Sequence, residues 1–112
     1  MKRDRLYLVH MGECIVKIEQ YTQGGEAEFF RDTKTQDAVL RNLQIMSESS
    51  QRLSTELKAS HPDIDWRGVS DFRNVLVHDY LGLNLRLVWK IVRDDLSQLK
   101  QKIAALLESP AL

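Results

Sequence analysis

The chain has one cysteine, Cys14, two prolines, Pro62 and Pro110, and no excess of either charge, since 16 lysines plus arginines stand against 16 aspartates plus glutamates. A single thiol excludes an intrachain disulfide and any cysteine-based metal site, and reads as a small buried hydrophobe. Balanced charge excludes a global field that draws the protein to nucleic acid, so polyanion binding has to come from a local patch. No apolar run approaches the roughly 18 residues that a membrane-spanning helix needs. The basic start Met1-Lys2-Arg3-Asp4-Arg5 gives way to an apolar stretch too short and too soon charged for a signal peptide. The cytoplasm is therefore the expected location, with no membrane partner. Also missing are strand-period alternation, hairpin signals, internal repeats and low-complexity tracts. His10, His61 and His78 lie in separate segments without the carboxylate or cysteine spacing of a metal site. Neither metal nor cofactor is expected.

What is present is helical periodicity. A chain of 112 residues, 43% hydrophobic and 29% charged, is expected to form a single domain, 1–112, burying roughly 65% of its unfolded surface. A first helix is predicted over 4–22, where Leu8, Met11, Ile15 and Ile18 repeat at helical spacing and Tyr7, Cys14 and Tyr21 widen the stripe. Gly24-Gly25 ends it, and 26–32 reads as a connection with room for a turn of helix around Phe29-Phe30. Thr33-Lys34-Thr35-Gln36 fits a capping box. The second helix then carries Val39, Leu43, Met46, Ser50, Leu53 and Leu57 on one seam and closes at Ser60-His61-Pro62, because proline disfavours a helical His61. Asp65 is the expected N-cap of a third helix over 66–79, stopped by Gly82. Asn84 caps a fourth, with Leu85, Val88, Val92, Leu96, Leu99, Ile103 and Leu106 on its apolar face and Pro110 beyond its end. The expected fold class is all-α, an antiparallel four-helix-type bundle with an extra short helix allowed.

Reactive side chains concentrate in Phe72-Arg73-Asn74-Val75-Leu76-Val77-His78-Asp79-Tyr80. On a helix of this period, Val69, Phe72, Val75 and Leu76 form the core arc. Arg73 and Tyr80 fall together beside it, Asn74 and His78 together on the opposite side, with Ser70 between them. Trp66 and Val77 lie on the non-core face, where a monomer leaves an indole and a valine in water, and this suggests an interface with another chain. A two-fold homodimer brings Arg73 and His78 of both copies into one cleft. Histidine can take a proton from a ribose 2′-hydroxyl or give one to a leaving 5′-oxygen. Arginine can grip the phosphate and stabilise charge building on it, and Asn74 can orient either. This is an RNA-cleaving constellation in outline, and it needs no metal. Spacing alone does not decide it, because Arg5 and His10 are also five apart. The plain alternative is an arginine and a histidine stabilising a helix C-terminus through its dipole. On the fourth helix, Arg86, Lys90, Arg93 and Lys100 fall on one stripe, interrupted by Asp94 and Asp95. They either track an RNA backbone or form a solvated face.

The run Arg73-x4-His78-x-Tyr80 resembles the signature of HEPN domains, specifically the HepT toxin branch. Residues 37–48 resemble that family's second helix, and His61-Pro62-Asp63-Ile64-Asp65-Trp66 and Leu87-Val88-Trp89-Lys90-Ile91 resemble its flanking segments, so the likeness covers about 37–99. The resemblance implies an antiparallel helical bundle, a homodimer with a composite site, and metal-independent ribonuclease activity with Arg73 and His78 catalytic and Asn74 and Tyr80 supporting. It also implies an MNT-type nucleotidyltransferase antitoxin that adds AMP to Tyr80, which would fill the cationic clamp beside Arg73 and block RNA. Ser47-Glu48-Ser49 stands where the family commonly has Gly-Glu-Ala, a departure that bears on Glu48 and on Arg41, seven residues before it on the same face. The alternative function is a non-catalytic HEPN partner subunit that binds nucleotide or the nucleotidyltransferase and regulates it.

Overall fold

A computed structural model describes residues 2–77 and 84–110, the side chains of Lys2 and of 74–77 excepted. Helix α1, Lys2–Tyr21, buries Leu8, Met11, Ile15 and Ile18 completely, as its periodicity predicts. Burial pushes the Cys14 thiol above its ordinary pKa. Tyr21, expected to widen the apolar stripe, is exposed because it is the last residue of the helix and lies beyond the packed part. Gly25 turns the chain with φ +89°, a left-handed conformation that a side chain disfavours. The turn of helix anticipated around Phe29-Phe30 is α2, Glu26–Arg31, and it seats Phe29 in the core.

Helix α3, Thr33–Gln51, starts one residue later than its true cap. Asp32 accepts from the Lys34 amide (3.1 Å) and the Thr35 hydroxyl (2.9 Å), so a carboxylate takes the role foreseen for Thr33. The Thr35 hydroxyl, more than the Lys34 and Thr35 amides, holds the Asp32 carboxyl below its usual range. Its support for the helix is therefore present above the unfolded carboxylate value and fades as pH falls through the lowered one. Gln36 turns inward and donates to the Phe29 carbonyl (2.8 Å), tying α3 to α2.

The second predicted helix is in fact two. α3 ends at Gln51, and α4, Thr55–Ser60, follows after a three-residue break. The cause lies 50 residues away in sequence: Asp4, buried in α1, accepts from both the Ser54 amide (2.8 Å) and the Ser54 hydroxyl (2.7 Å), and Ser54 in turn caps α4 by accepting from the Leu57 amide (3.1 Å). Kinking the chain at Ser54 keeps both Leu53 and Leu57 in the core. Removing the carboxylate leaves these donors unmet, and hydrogen bonds to a charged group contribute about 1.5–3 kcal/mol. Asp4→Ala is expected to lower the unfolding free energy by about that much, read from the urea midpoint at unchanged slope; a loss under about 0.5 kcal/mol would show that the clamp is passive.

Asp65 starts α5, Trp66–Val77, by accepting from the Gly68 amide (2.9 Å). Val69 and Phe72 enter the core. Trp66 departs from expectation: it is half-buried against the core, and its indole N–H donates to the His61 carbonyl (3.0 Å). The loop before α5 folds back under the helix, through Ile64 N–H to His61 O and Trp66 N–H to Ile64 O, and supplies that partner. Trp66 is thus an element of the monomer's own packing and not a wet indole seeking another chain. Val75, Leu76 and Val77 as side chains, the end of this helix and the Gly82 stop lie outside the described residues.

Asn84 caps α6, Leu85–Lys90, by accepting from the Leu87 amide (3.1 Å). A π-helical turn, Ile91–Asp95, joins α6 to α7, Leu96–Leu107. α3 packs against both α1 and α5, α7 lies along α1, and α2 reaches both α3 and α6. The fold is all-α, with no strand among the described residues. No described helix is long and apolar enough to cross a membrane.

Candidate functional site

Position 73 is set by how α5 is held against α3. Ser47 and Ser50 on α3 are buried. The Ser47 hydroxyl donates to the Ser70 carbonyl of α5 (2.7 Å), the Ser50 hydroxyl donates back to the Ser47 carbonyl (2.7 Å), and the Gln51 amide reaches the Ser70 hydroxyl (3.3 Å). Small side chains let the two helices approach; the Ser47 hydroxyl then finds a partner across the gap, and the Ser50 hydroxyl is satisfied within α3. Arg73, three residues past that anchor, is exposed. Its guanidinium stands on a fixed helix facing solvent, where it can meet a phosphate. Asn74 lies on the same helix, its side chain outside the described residues, as are His78 and Tyr80 entirely.

Ser47 was legible only as a departure from a family pattern, and its contact with α5 was missed. The available signal was a hydroxyl-rich run, Ser47, Ser49 and Ser50, on a face otherwise built of Val39, Leu43 and Met46; buried hydroxyls must find acceptors. Arg41 and Glu48 are both exposed and form no ion pair with each other. Glu48 instead accepts from Gln44 (3.2 Å) one turn earlier on α3.

A second feature lies at the other end of the sequence pattern. Arg86, Lys90 and Arg93 line a groove of about 570 Å³ together with Glu26, Phe30 and Trp89. Lys100, expected on the same stripe, is elsewhere: it pairs with Glu19 of α1 (2.8 Å) and borders the separate groove between α1 and α7. The π turn separates them, because its extra residue rotates everything beyond it by roughly a quarter turn. The buried series shows the insertion directly. Val88, Ile91, Leu96, Leu99, Ile103 and Leu106 are buried, with a five-residue step after Ile91, and Val92, the residue an unbroken helix would bury, is only half-buried.

Arg93 is held by Asp94 through two bonds (2.8 and 3.1 Å), and this pairing lowers the Asp94 carboxyl and raises Arg93 further. Burial, and then Asp94, push the Asp95 carboxyl up. Trp89 lies tilted against Phe29, ring centres 5.2 Å apart and planes at 34°. The Trp89 indole nitrogen is buried and has no hydrogen-bond partner among the described residues.

The family model for "Ribonuclease HepT-like" matches residues 11–106. The chain is 40% identical over 108 residues to "Probable ribonuclease HepT" of Thermococcus cleftensis, covering 95% of this chain and 98% of that one. It is 28% identical over 109 residues to a protein of Caldanaerobacter subterraneus subsp. tengcongensis described as "Putative RNase", covering 96% and 97%. A Methanocaldococcus jannaschii protein described as "Gamma-glutamylcyclotransferase and putative RNase" is 34% identical over 110 residues, and there the chain spans only 50% of the relative's length. No solved structure matches the chain.

Proposed function

Because this chain belongs to the HepT-like ribonuclease family, we propose that it is a metal-independent endoribonuclease toxin, its residues 1–112 acting as one HEPN-like domain whose cleft is completed by a second copy. The observation that carries the reading is the family match across 11–106, which contains the whole run Arg73-x4-His78-x-Tyr80, and the exposure of Arg73 on a helix anchored through Ser70 supports it. His78 moves the proton: it deprotonates the ribose 2′-hydroxyl from one copy and protonates the leaving 5′-oxygen from the other. Arg73 binds the phosphate and stabilises the charge that gathers on it as the new P–O bond forms. Asn74 orients the histidine or a phosphate oxygen, and Tyr80 has a supporting role.

Neutralisation acts on the same cation. An MNT-type nucleotidyltransferase antitoxin adds AMP to Tyr80, and the added phosphate competes with RNA for Arg73. Trp66 no longer argues for the dimer, so the assembly is to be measured directly. Light scattering at micromolar concentration is expected to give twice the 13.0 kDa chain mass, and a monomeric mass would eliminate the composite cleft. After co-expression with the nucleotidyltransferase, intact mass is expected to rise by one or more AMP units in the wild type and not in Tyr80→Phe. Equal addition to both would move the modification elsewhere.

A further inference from the structure

The groove formed by α2, α6 and the π turn combines three features that a merely solvated face lacks. Its floor includes two aromatic rings, Phe30 and Trp89, both half-buried, and Trp89 is backed by fully buried Phe29 and so held rigidly. Its rim carries Arg86 and Lys90, one helical turn apart and both exposed, with Arg93 beyond them. The third feature is the π turn itself. It rotates Lys100 away and confines the cations to this end of the helix. Three carboxylates oppose an anion here: Glu26 lines the groove, Asp94 occupies Arg93, and Asp94 and Asp95 both lie within electrostatic reach of Lys90. Among the described residues, neither Arg86 nor Lys90 is ion-paired with any of the three.

A ring wall beside cations a turn apart matches the chemistry of an unpaired nucleotide, which offers a π face to stack and phosphates on either side. A duplex does not fit this description, because its bases are already stacked on each other. Glu26 at the rim can accept from an exocyclic base amine, which favours adenine, cytosine or guanine over uracil. We infer that this groove is a subsite for one unpaired nucleotide of a single-stranded RNA, its base against Trp89 and Phe30 and its flanking phosphates on Arg86 and Lys90. The inference rests on the chain acting on RNA, and it places a strand-holding contact outside the Arg73–His78 cleft.

The test is binding of a labelled short oligoadenylate to the full-length His78→Ala protein, followed by fluorescence anisotropy over a range of salt. Arg86→Glu and Lys90→Glu, both at exposed positions, are each expected to weaken binding about tenfold and to flatten the log–log salt dependence by about 0.7. Trp89→Leu is expected to weaken it about 5- to 100-fold, the usual range for losing one base–aromatic stack, and Lys17→Glu in the separate α1–α7 groove to leave it unchanged. Because Trp89 also packs on Phe29, the two exposed charge reversals decide. If both bind within twofold of the parent at an unchanged salt slope, the subsite is wrong. AMP binding as tightly as the oligonucleotide would equally overturn it, as a mononucleotide site. The two readings separate cleanly. A wild type that binds the oligonucleotide here but cleaves no RNA removes the ribonuclease and keeps the groove, whereas unchanged cleavage and binding in both Arg86→Glu and Lys90→Glu removes the groove and keeps the ribonuclease.

Discussion

Replacing His78 with alanine is expected to lower RNA cleavage by about 10²–10⁴-fold, the range over which a positioned acid or base accelerates a reaction, while RNA binding is retained. As side-chain types, a guanidinium and an amide are not proton-transfer groups and a phenol is a poor base, whereas imidazole is the type suited to moving a proton near neutrality. In a symmetric dimer the substitution removes both copies at once, so base and acid are lost together and the effect lies toward the upper end. On the proposed mechanism Arg73→Ala removes the charge assigned to the phosphate and is expected to cost about 10²–10³-fold. Its exposure on a folded, anchored α5 means that this loss comes without a loss of stability. Initial rates on cellular RNA check both; cleavage by His78→Ala at the wild-type rate would remove histidine from the chemistry.

The largest expected effect on stability belongs to Phe29. Its ring is fully buried, meets Phe30 edge-on at 5.4 Å and lies against Trp89 at 5.2 Å, and its carbonyl accepts from Gln36. Its ring joins α2 to α6, and its carbonyl ties α2 to α3. Truncating a buried phenylalanine costs about 3–5 kcal/mol in transfer and cavity terms. Phe29→Ala is expected to lose that amount in urea unfolding, a large share of what a domain of this size has. Phe29→Leu, which refills most of the volume, is expected to recover more than half. A cost for Phe29→Ala below about 1.5 kcal/mol would mean that α2 is not part of the cooperative fold.

Local patterns carried most of the architecture. The 3-4-3 apolar spacing of Leu8, Met11, Ile15 and Ile18 is buried as read, Asp65 and Asn84 cap the helices they precede, and the turn around Phe29 exists. What escaped is non-local. The break between α3 and α4 depends on Asp4, whose partner Ser54 lies 50 residues along the chain, and no window around Ser54 contains that carboxylate. The π turn depends on a choice between two neighbouring β-branched residues, Ile91 and Val92, that a periodic template treats alike. Trp66 was placed on a wet face because the loop that folds back to receive its N–H has no helical period. For the site, sequence context and the family resemblance singled out Arg73, and helical periodicity gave the stripe Arg86, Lys90, Arg93 and Lys100, of which Lys100 lies elsewhere. The Ser47–Ser70 bond that steadies α5, and the aromatic wall that turns the stripe into a groove, are products of packing between elements.

The central claim is that this chain cuts RNA with its own side chains, using the ribose 2′-hydroxyl as nucleophile and no metal ion. The end groups of the RNA fragments produced by the purified wild-type protein in EDTA test it most directly. The account predicts fragments ending in a 2′,3′-cyclic phosphate and beginning with a 5′-hydroxyl, and no cut at a 2′-deoxy position. Fragments bearing 3′-hydroxyl and 5′-phosphate ends, or cleavage that stops when EDTA is added, would contradict it.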